Sequence, residues 1–352
     1  MTLFEALEKI EPLDKSAMEK SYDKWLNLVK PLFSLGSLEK AVTRIAGIIG
    51  SERVVLDKKA VAVMCSDNGV VEEGVSQSGQ EITAEVTANL IKGRTSVCKM
   101  AEIAGADVFP IDIGVAVDIC GVTDEKYKIM YGTNNITNGA AMTREQAVRA
   151  IEVGIEKVRE LKALGYKIIA TGEMGIGNTT TASAVVSVLL NKLPEEVTGR
   201  GAGLSSEGLE RKINAIKKAV AVNKPDKNDA IDVLSKVGGL DIAGMAGLFI
   251  GGAVYRIPIV IDGFISAAAA LTAVRMNAMI KDYIFSSHRS NEPAGKMVLD
   301  ALGFEPYITC GMFLGEGTGA VSLFPLLDMA LSVYDKMHTF DSWNYDAYKI
   351  LN

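Results

Sequence analysis

The chain has 352 residues, 48% of them hydrophobic, with 37 lysines and arginines against 43 acidic residues and a net charge of −6. That length buries a full core and suits one large α/β domain carrying a smaller accessory part. The cations are scattered, so the electrostatic footprint of a nucleic-acid surface is missing and an anionic ligand has to be met locally.

The chain opens with an acidic, helix-patterned stretch, Met1 to Lys9, that lacks the basic start and apolar run of a signal peptide, so a cytoplasmic address is expected. Cys65, Cys98, Cys120 and Cys310 are far apart and form no CxxC pair, which indicates neither a zinc site nor a disulfide framework. Apolar residues at three-and-four spacing predict helices over 16–29 and 38–49, separated by Pro31 and the turn Leu35-Gly36-Ser37. From Ala60 the pattern changes to short β-branched runs ending in glycine or polar turns. These predict strands over 60–64, 107–113, 127–130, 167–170 and 257–261, with helical segments between most of them.

Such alternation is the mark of βαβ units, a mostly parallel sheet flanked by helices, with ligands beyond the carboxyl ends of the strands. Polar clusters fall at three of those ends: Ser66-Asp67-Asn68-Gly69, Gly172-Glu173 and Asp262-Gly263. The apolar run 242–255 is shorter than the roughly 20 residues that span a bilayer. It reads as a buried helix, and Gly244, Gly247, Gly251 and Gly252 would let a second helix approach it closely, in the core or across a dimer. Residues 323–351 read as helical again and would pack with the N-terminal helices. The expected division is therefore a small helical domain from 1–58 and 323–352, and an α/β domain from 59–322.

Two glycine-rich stretches stand out as places for chemistry. Gly175-Ile176-Gly177-Asn178-Thr179-Thr180-Thr181 joins a strand to a helix predicted over 182–190, where free amides and hydroxyls can hold a phosphate; it reads equally as a plain glycine turn with an Asn or Thr cap. It is neither a Walker loop nor a dinucleotide fingerprint. A further loop, Gly199-Arg200-Gly201-Ala202-Gly203, precedes Lys212, which either adds a cation or is a solvated helix lysine, the commoner case. In the second stretch, Leu314-Gly315-Glu316-Gly317-Thr318-Gly319, Glu316 stands between two glycines. Among the acids Asp67, Glu173, Asp241, Asp262 and Glu316 it is the best candidate base, since desolvation raises a carboxylate's pKa toward a useful range. Metal binding is the rival role for this set, but no closely spaced acids or histidines support it, His288 and His338 being far apart. The polar segment 286–292 reads either as a ligand contact or as an exposed loop.

Together these segments resemble the nicotinate-nucleotide:5,6-dimethylbenzimidazole phosphoribosyltransferase family, which activates the lower ligand of cobamides. The likeness runs over nearly the whole chain. It includes Lys30-Pro31, Gly36 to Glu39, Asp67 to Val70, Glu73-Gly74-Val75, Gly172 to Thr180, Gly238-Gly239, Asp262 to Ser266, Ser287-His288 and Leu314 to Ala320. The resemblance implies a Rossmann-like sheet domain with a small helical domain from both termini. It implies transfer of phosphoribose from nicotinate mononucleotide to an aromatic base, with no cofactor and no metal. It also implies a homodimer, with a heterodimer with a related chain left open.

By motif, Glu316 would take the proton of the incoming ring. Glu173, Gly175, Ile176, Gly177, Asn178, Thr179, Thr180, Gly201 and Lys212 would hold the ribose phosphate, with Asp241, Asp262 and Ser290 lining the nucleotide pocket. Ser78, Val86 and Leu314 would face the acceptor ring. Two positions depart from the family pattern: Asn68 stands where many members have His, and Val86 where some have Gln. The natural acceptor, whether a benzimidazole, a purine or a phenol, is open at this point, as is a non-catalytic nucleotide-binding partner subunit.

Overall fold

In a computed structural model, which describes residues 1–350, five strands form one parallel sheet: β1 (Lys59–Ser66), β2 (Ala106–Gly114), β3 (Ile168–Met174), β4 (Ile259–Ile261) and β5 (Ile284–Ser286). Their order across the sheet is β2-β1-β3-β4-β5. Every residue of β1 is buried, as expected of a central strand covered on both faces. The chain steps from β1 to β2 on one side and then returns past β1 to β3, so the direction of travel reverses there. Because parallel crossovers are right-handed, the reversal puts Ser96–Ala104 on one face and Arg144–Ala163 and Leu240–Tyr255 on the other. The loops after β1 and β3 part at this switch point and leave a crevice.

Four of the five predicted strands form. The run 127–130 does not. The Ile129 amide bonds the end of β2 at the Ile113 carbonyl (3.0 Å), but Tyr127 Oη is drawn to Glu160 Oε1 (2.6 Å), and the segment remains a loop. In its place the fifth strand is β5, only three residues long.

The expected buried helix is Leu240–Tyr255, and its small residues serve the core of this chain rather than an outside partner. Gly247 and Gly251 lie against Arg144–Ala163, where a Cβ added at Gly154 would overlap the carbonyl of Gly244 and stand 2.7 Å from the Leu248 nitrogen. Thr318–Lys336 begins before the predicted start at 323 and ends well before 351, followed by the short helix Phe340–Trp343. Residues 344–350 are not helical, and Leu351 and Asn352 lie outside the described residues. This last long helix packs with the N-terminal ones: the Tyr334 ring lies 4.8 Å from that of Trp25, and its hydroxyl bonds Ser21 Oγ (3.0 Å) and the Glu52 carbonyl (2.9 Å). No helix among the described residues is long and apolar enough to cross a membrane.

The Gly154 contact yields a test in which two effects oppose. Gly154→Ala gains about 1 kcal/mol of helix propensity, whereas overpacking a fixed core costs about 1–3 kcal/mol and more where backbone is struck. Net destabilisation of about 2 kcal/mol is expected in the denaturant midpoint; a stabilised variant would mean that the helices separate freely.

Candidate active site

The crevice is walled by the ends of β3 and β4 and by the two glycine-rich stretches. Of the residues singled out from sequence, it brings together Val86, Glu173, Gly175, Ile176, Gly177, Asn178, Thr179, Gly201, Asp262, Ser290, Leu314 and Glu316. Four others lie off its surface. Asp241 is completely buried behind Asn178, whose Nδ2 donates to its Oδ2 at 3.0 Å. Lys212, expected more often in solvent, is completely buried behind Thr179 and donates to Thr179 Oγ1 at 2.7 Å. Thr180 is buried in the first turn of Asn178–Leu190, its hydroxyl without a partner. Ser78 stays in the loop before Glu81–Ile91, its amide bonded to Ser76 Oγ (3.1 Å), and the neighbouring Ser76 and Gln77 face the crevice instead.

Glycine is required where the loops cross. At Gly175 a Cβ would overlap the Ser66 carbonyl and come within 2.8 Å of Asp241 Oδ2. Gly177 turns at φ +94° to start the helix. The Thr180 amide bonds the Gly177 carbonyl, whereas no acceptor among the described residues serves the amides of Gly177 and Thr179, so they are available to an anion at the helix N-terminus. Asn68, the residue that departs from the family pattern, lies beneath this turn; its Oδ1 accepts from Thr181 Oγ1 at 3.2 Å.

On the opposite wall Glu316 adopts φ +62° between Gly315 (φ +91°) and Gly317 (φ +101°). Its Oε2 accepts from the Val97 amide at 3.1 Å, and its Oε1 has no protein partner. Asp262 anchors the loop, accepting from the amides of Gly317 (3.1 Å), Gly319 (2.7 Å) and Ala320 (3.1 Å).

Burial acts most on the acids behind these walls. Desolvation, reinforced by Asp241, pushes Glu173 up to about 8, against the hydrogen bond that Asn178 donates to it. Desolvation also raises Asp241 to about 6 and lifts Asp262, whose shift the nearby His288 and three amides oppose. The same cause lowers Lys212 to about 8. Lining residues to which sequence reading gave no individual site role include Val75, Gln77, His288, Glu292 and Phe313. The polar 286–292 run signalled the two from β5 onward; Gln77 and Phe313 carried no signal.

An amide cradle with a buried lysine at one end and a carboxylate among apolar side chains at the other is the arrangement of an enzyme that moves a phosphorylated group onto an acceptor. A phosphoribosyltransferase family model matches residues 10–344, and the chain belongs to that family. It is 52% identical over 347 residues to the nicotinate-nucleotide–dimethylbenzimidazole phosphoribosyltransferase of Acetivibrio thermocellus, covering 99% of each chain. It is 49% identical over 351 residues to the enzyme of the same name from Clostridium acetobutylicum, covering 100% of each. The crystal structure of CobT from Thermus thermophilus superimposes with a TM-score of 0.88 at 37% identity, over 94% of this chain and 99% of that one.

The raised Glu173 predicts a pH dependence of stability. Its folded value of about 8 exceeds the ordinary 4.5, so between those values the folded chain keeps a proton that the unfolded chain has lost. Stability therefore falls as pH rises from about 4.5 to about 8. Glu173→Gln removes this loss: its melting temperature should exceed the wild type's by a margin that widens up to pH 8. Parallel melting curves across that range would sink the assignment.

Proposed function

We propose that this chain transfers phosphoribose from nicotinate mononucleotide to 5,6-dimethylbenzimidazole or a related aromatic base, giving α-ribazole 5′-phosphate and nicotinate for cobamide assembly. The observation that carries the reading is Glu316 itself: held by its backbone, with one oxygen on Val97 and the other free, it faces a wall of Val86, Ile176, Phe313 and Leu314. An aromatic ring fits that wall, and its N–H has a base to meet.

The phosphate is assigned to the amides of Gly177, Thr179 and Gly201, backed by Lys212 through Thr179. Protonated at neutral pH, Glu173 adds no negative charge to a cavity receiving an anion and supplies a donor for a ribose hydroxyl. Asp241 and Asp262 shape the pocket while engaged with Asn178 and with the Glu316 loop. The pyridinium of the donor departs as a neutral ring, so its departure needs no proton. What remains is to hold the ring's lone-pair nitrogen behind the ribose C1′ and to take the proton of the ring's other nitrogen as the new bond forms. Attack from the face opposite the leaving ring turns the β-nucleotide into an α-riboside.

The same reading takes 1–58 with 323–352 as a small helical domain and 59–322 as the catalytic one. It includes a homodimer in the cytoplasm, supported by the large apolar side chains Phe313 and Leu314, 60% and 57% exposed at the cavity rim.

Incubation with nicotinate mononucleotide and a panel of benzimidazoles, purines and phenols should release nicotinate in step with one α-riboside phosphate, best with a benzimidazole. Glu316→Gln should cut turnover by at least about 10²-fold while nucleotide affinity changes less than about threefold. Full activity in that variant would refute the base assignment; a nucleotide that binds yet reacts with no acceptor would make the chain a binding subunit.

A further inference from the structure

One charged group on the cavity wall has no part in the chemistry above. Glu292 follows Ser290 in the loop after β5, is half-buried, and is seated on the bare backbone of the 199–203 loop. A Cβ at Gly199 would overlap its Oε2 and stand 2.9 Å from its Cδ, and the Gly201 amide faces the carboxylate. Its cationic neighbour is Lys212, which is completely buried and makes no salt bridge among the described residues. The loop's own cation, Arg200, also lines the crevice, its guanidinium engaged with the Leu204 carbonyl (2.7 Å) and Ser206 Oγ (3.2 Å). The carboxylate thus addresses the Gly201 amide and the field of Lys212, both of which the proposed function gives to the phosphate.

Two anions cannot use one amide and one buried cation together. We propose that Glu292 is an internal competitor for the phosphate subsite: it holds the 199–203 loop and offsets the charge of Lys212 while the site is empty, and an entering phosphate monoester displaces it. The need for an offset is physical, since a buried lysine with no anion nearby is strongly disfavoured. The consequence is kinetic. Repulsion by Glu292 weakens the phosphorylated substrate and the phosphorylated product alike, which keeps the product from being trapped. The identity of the phosphate ester rests on the proposed function; the competition requires only that a phosphate enters.

Glu292→Gln keeps shape and removes charge. Calorimetric titration at pH 7 should show the variant binding both inorganic phosphate and nicotinate mononucleotide about tenfold more tightly than wild type. Nicotinate riboside, which lacks the phosphate, should bind both proteins within about twofold. Unchanged or weakened phosphate binding would overturn the proposal, as would equal tightening of riboside and nucleotide, which would point to a rearranged pocket. If the variant tightens inorganic phosphate but neither protein binds the mononucleotide, the competition stands and the substrate assignment falls. If both proteins bind the mononucleotide equally, the reverse holds. Glu292→Ser gives the same readout should the glutamine variant fail to fold.

Discussion

Helix Thr318–Lys336 starts directly after Gly317, and the amides at its start are met by a single carboxylate, that of Asp262 at the end of β4. This bond set hangs the last long helix from the sheet. It draws the Glu316 loop so close to β3 that a Cβ at Gly172 would overlap the Glu316 carbonyl, and one at Gly317 would stand 2.8 Å from Val61 Cγ1. The far end of the same helix carries Tyr334 into the packing of Trp25 and Ser21. A continuous run of contacts therefore links the helices of both termini to the position of the Glu316 carboxylate.

Four acids in and just behind the crevice, with Glu292 a fifth on its wall, would repel an anionic nucleotide if all were charged and free. Each of the four is handled differently. Asp262 is spread over three amides; Asp241 accepts from Asn178 Nδ2 and from the Ile242 amide at 2.9 Å; Glu173 holds its proton to about pH 8. Glu316 keeps its Oε1 unpartnered among the described residues. The crevice is thereby polarised, with bare amides and Lys212 at one end and the Glu316 carboxylate at the other.

Much of this was legible in the sequence. β1, β2, β3 and β4 announced themselves as β-branched runs, and the glycine stretches, each of which alone reads equally as a plain turn, marked the crevice walls. The run 127–130 misled because its aromatic residue, Tyr127, bonds Glu160 on a neighbouring helix, a partner 33 residues away. β5, at three residues, is too short to show a period. The burial of Lys212 was readable after all: it shares the inner face of Ser206–Asn223 with Gly208, Ala215, Ile216 and Ala219, at helical spacing. Glu292 and Gln77 reach the crevice from loops, where only the folded chain decides who meets whom.

The left-handed backbone of Glu316 shows how the site can keep a costly geometry. A non-glycine residue at φ +62° gives up about 1–2 kcal/mol. A hydrogen bond contributes about 0.5–1.5 kcal/mol, and Asp262 accepts three from the residues just beyond. Together they offset the strain, so the turn persists without help from a bound ligand. A residue in an ordinary conformation would not need glycines on both sides, and with side chains at 315 and 317 the loop would strike Glu173 and Val61. Strain, flanking glycines and cap are therefore one device that fixes the Glu316 carboxylate at the crevice wall.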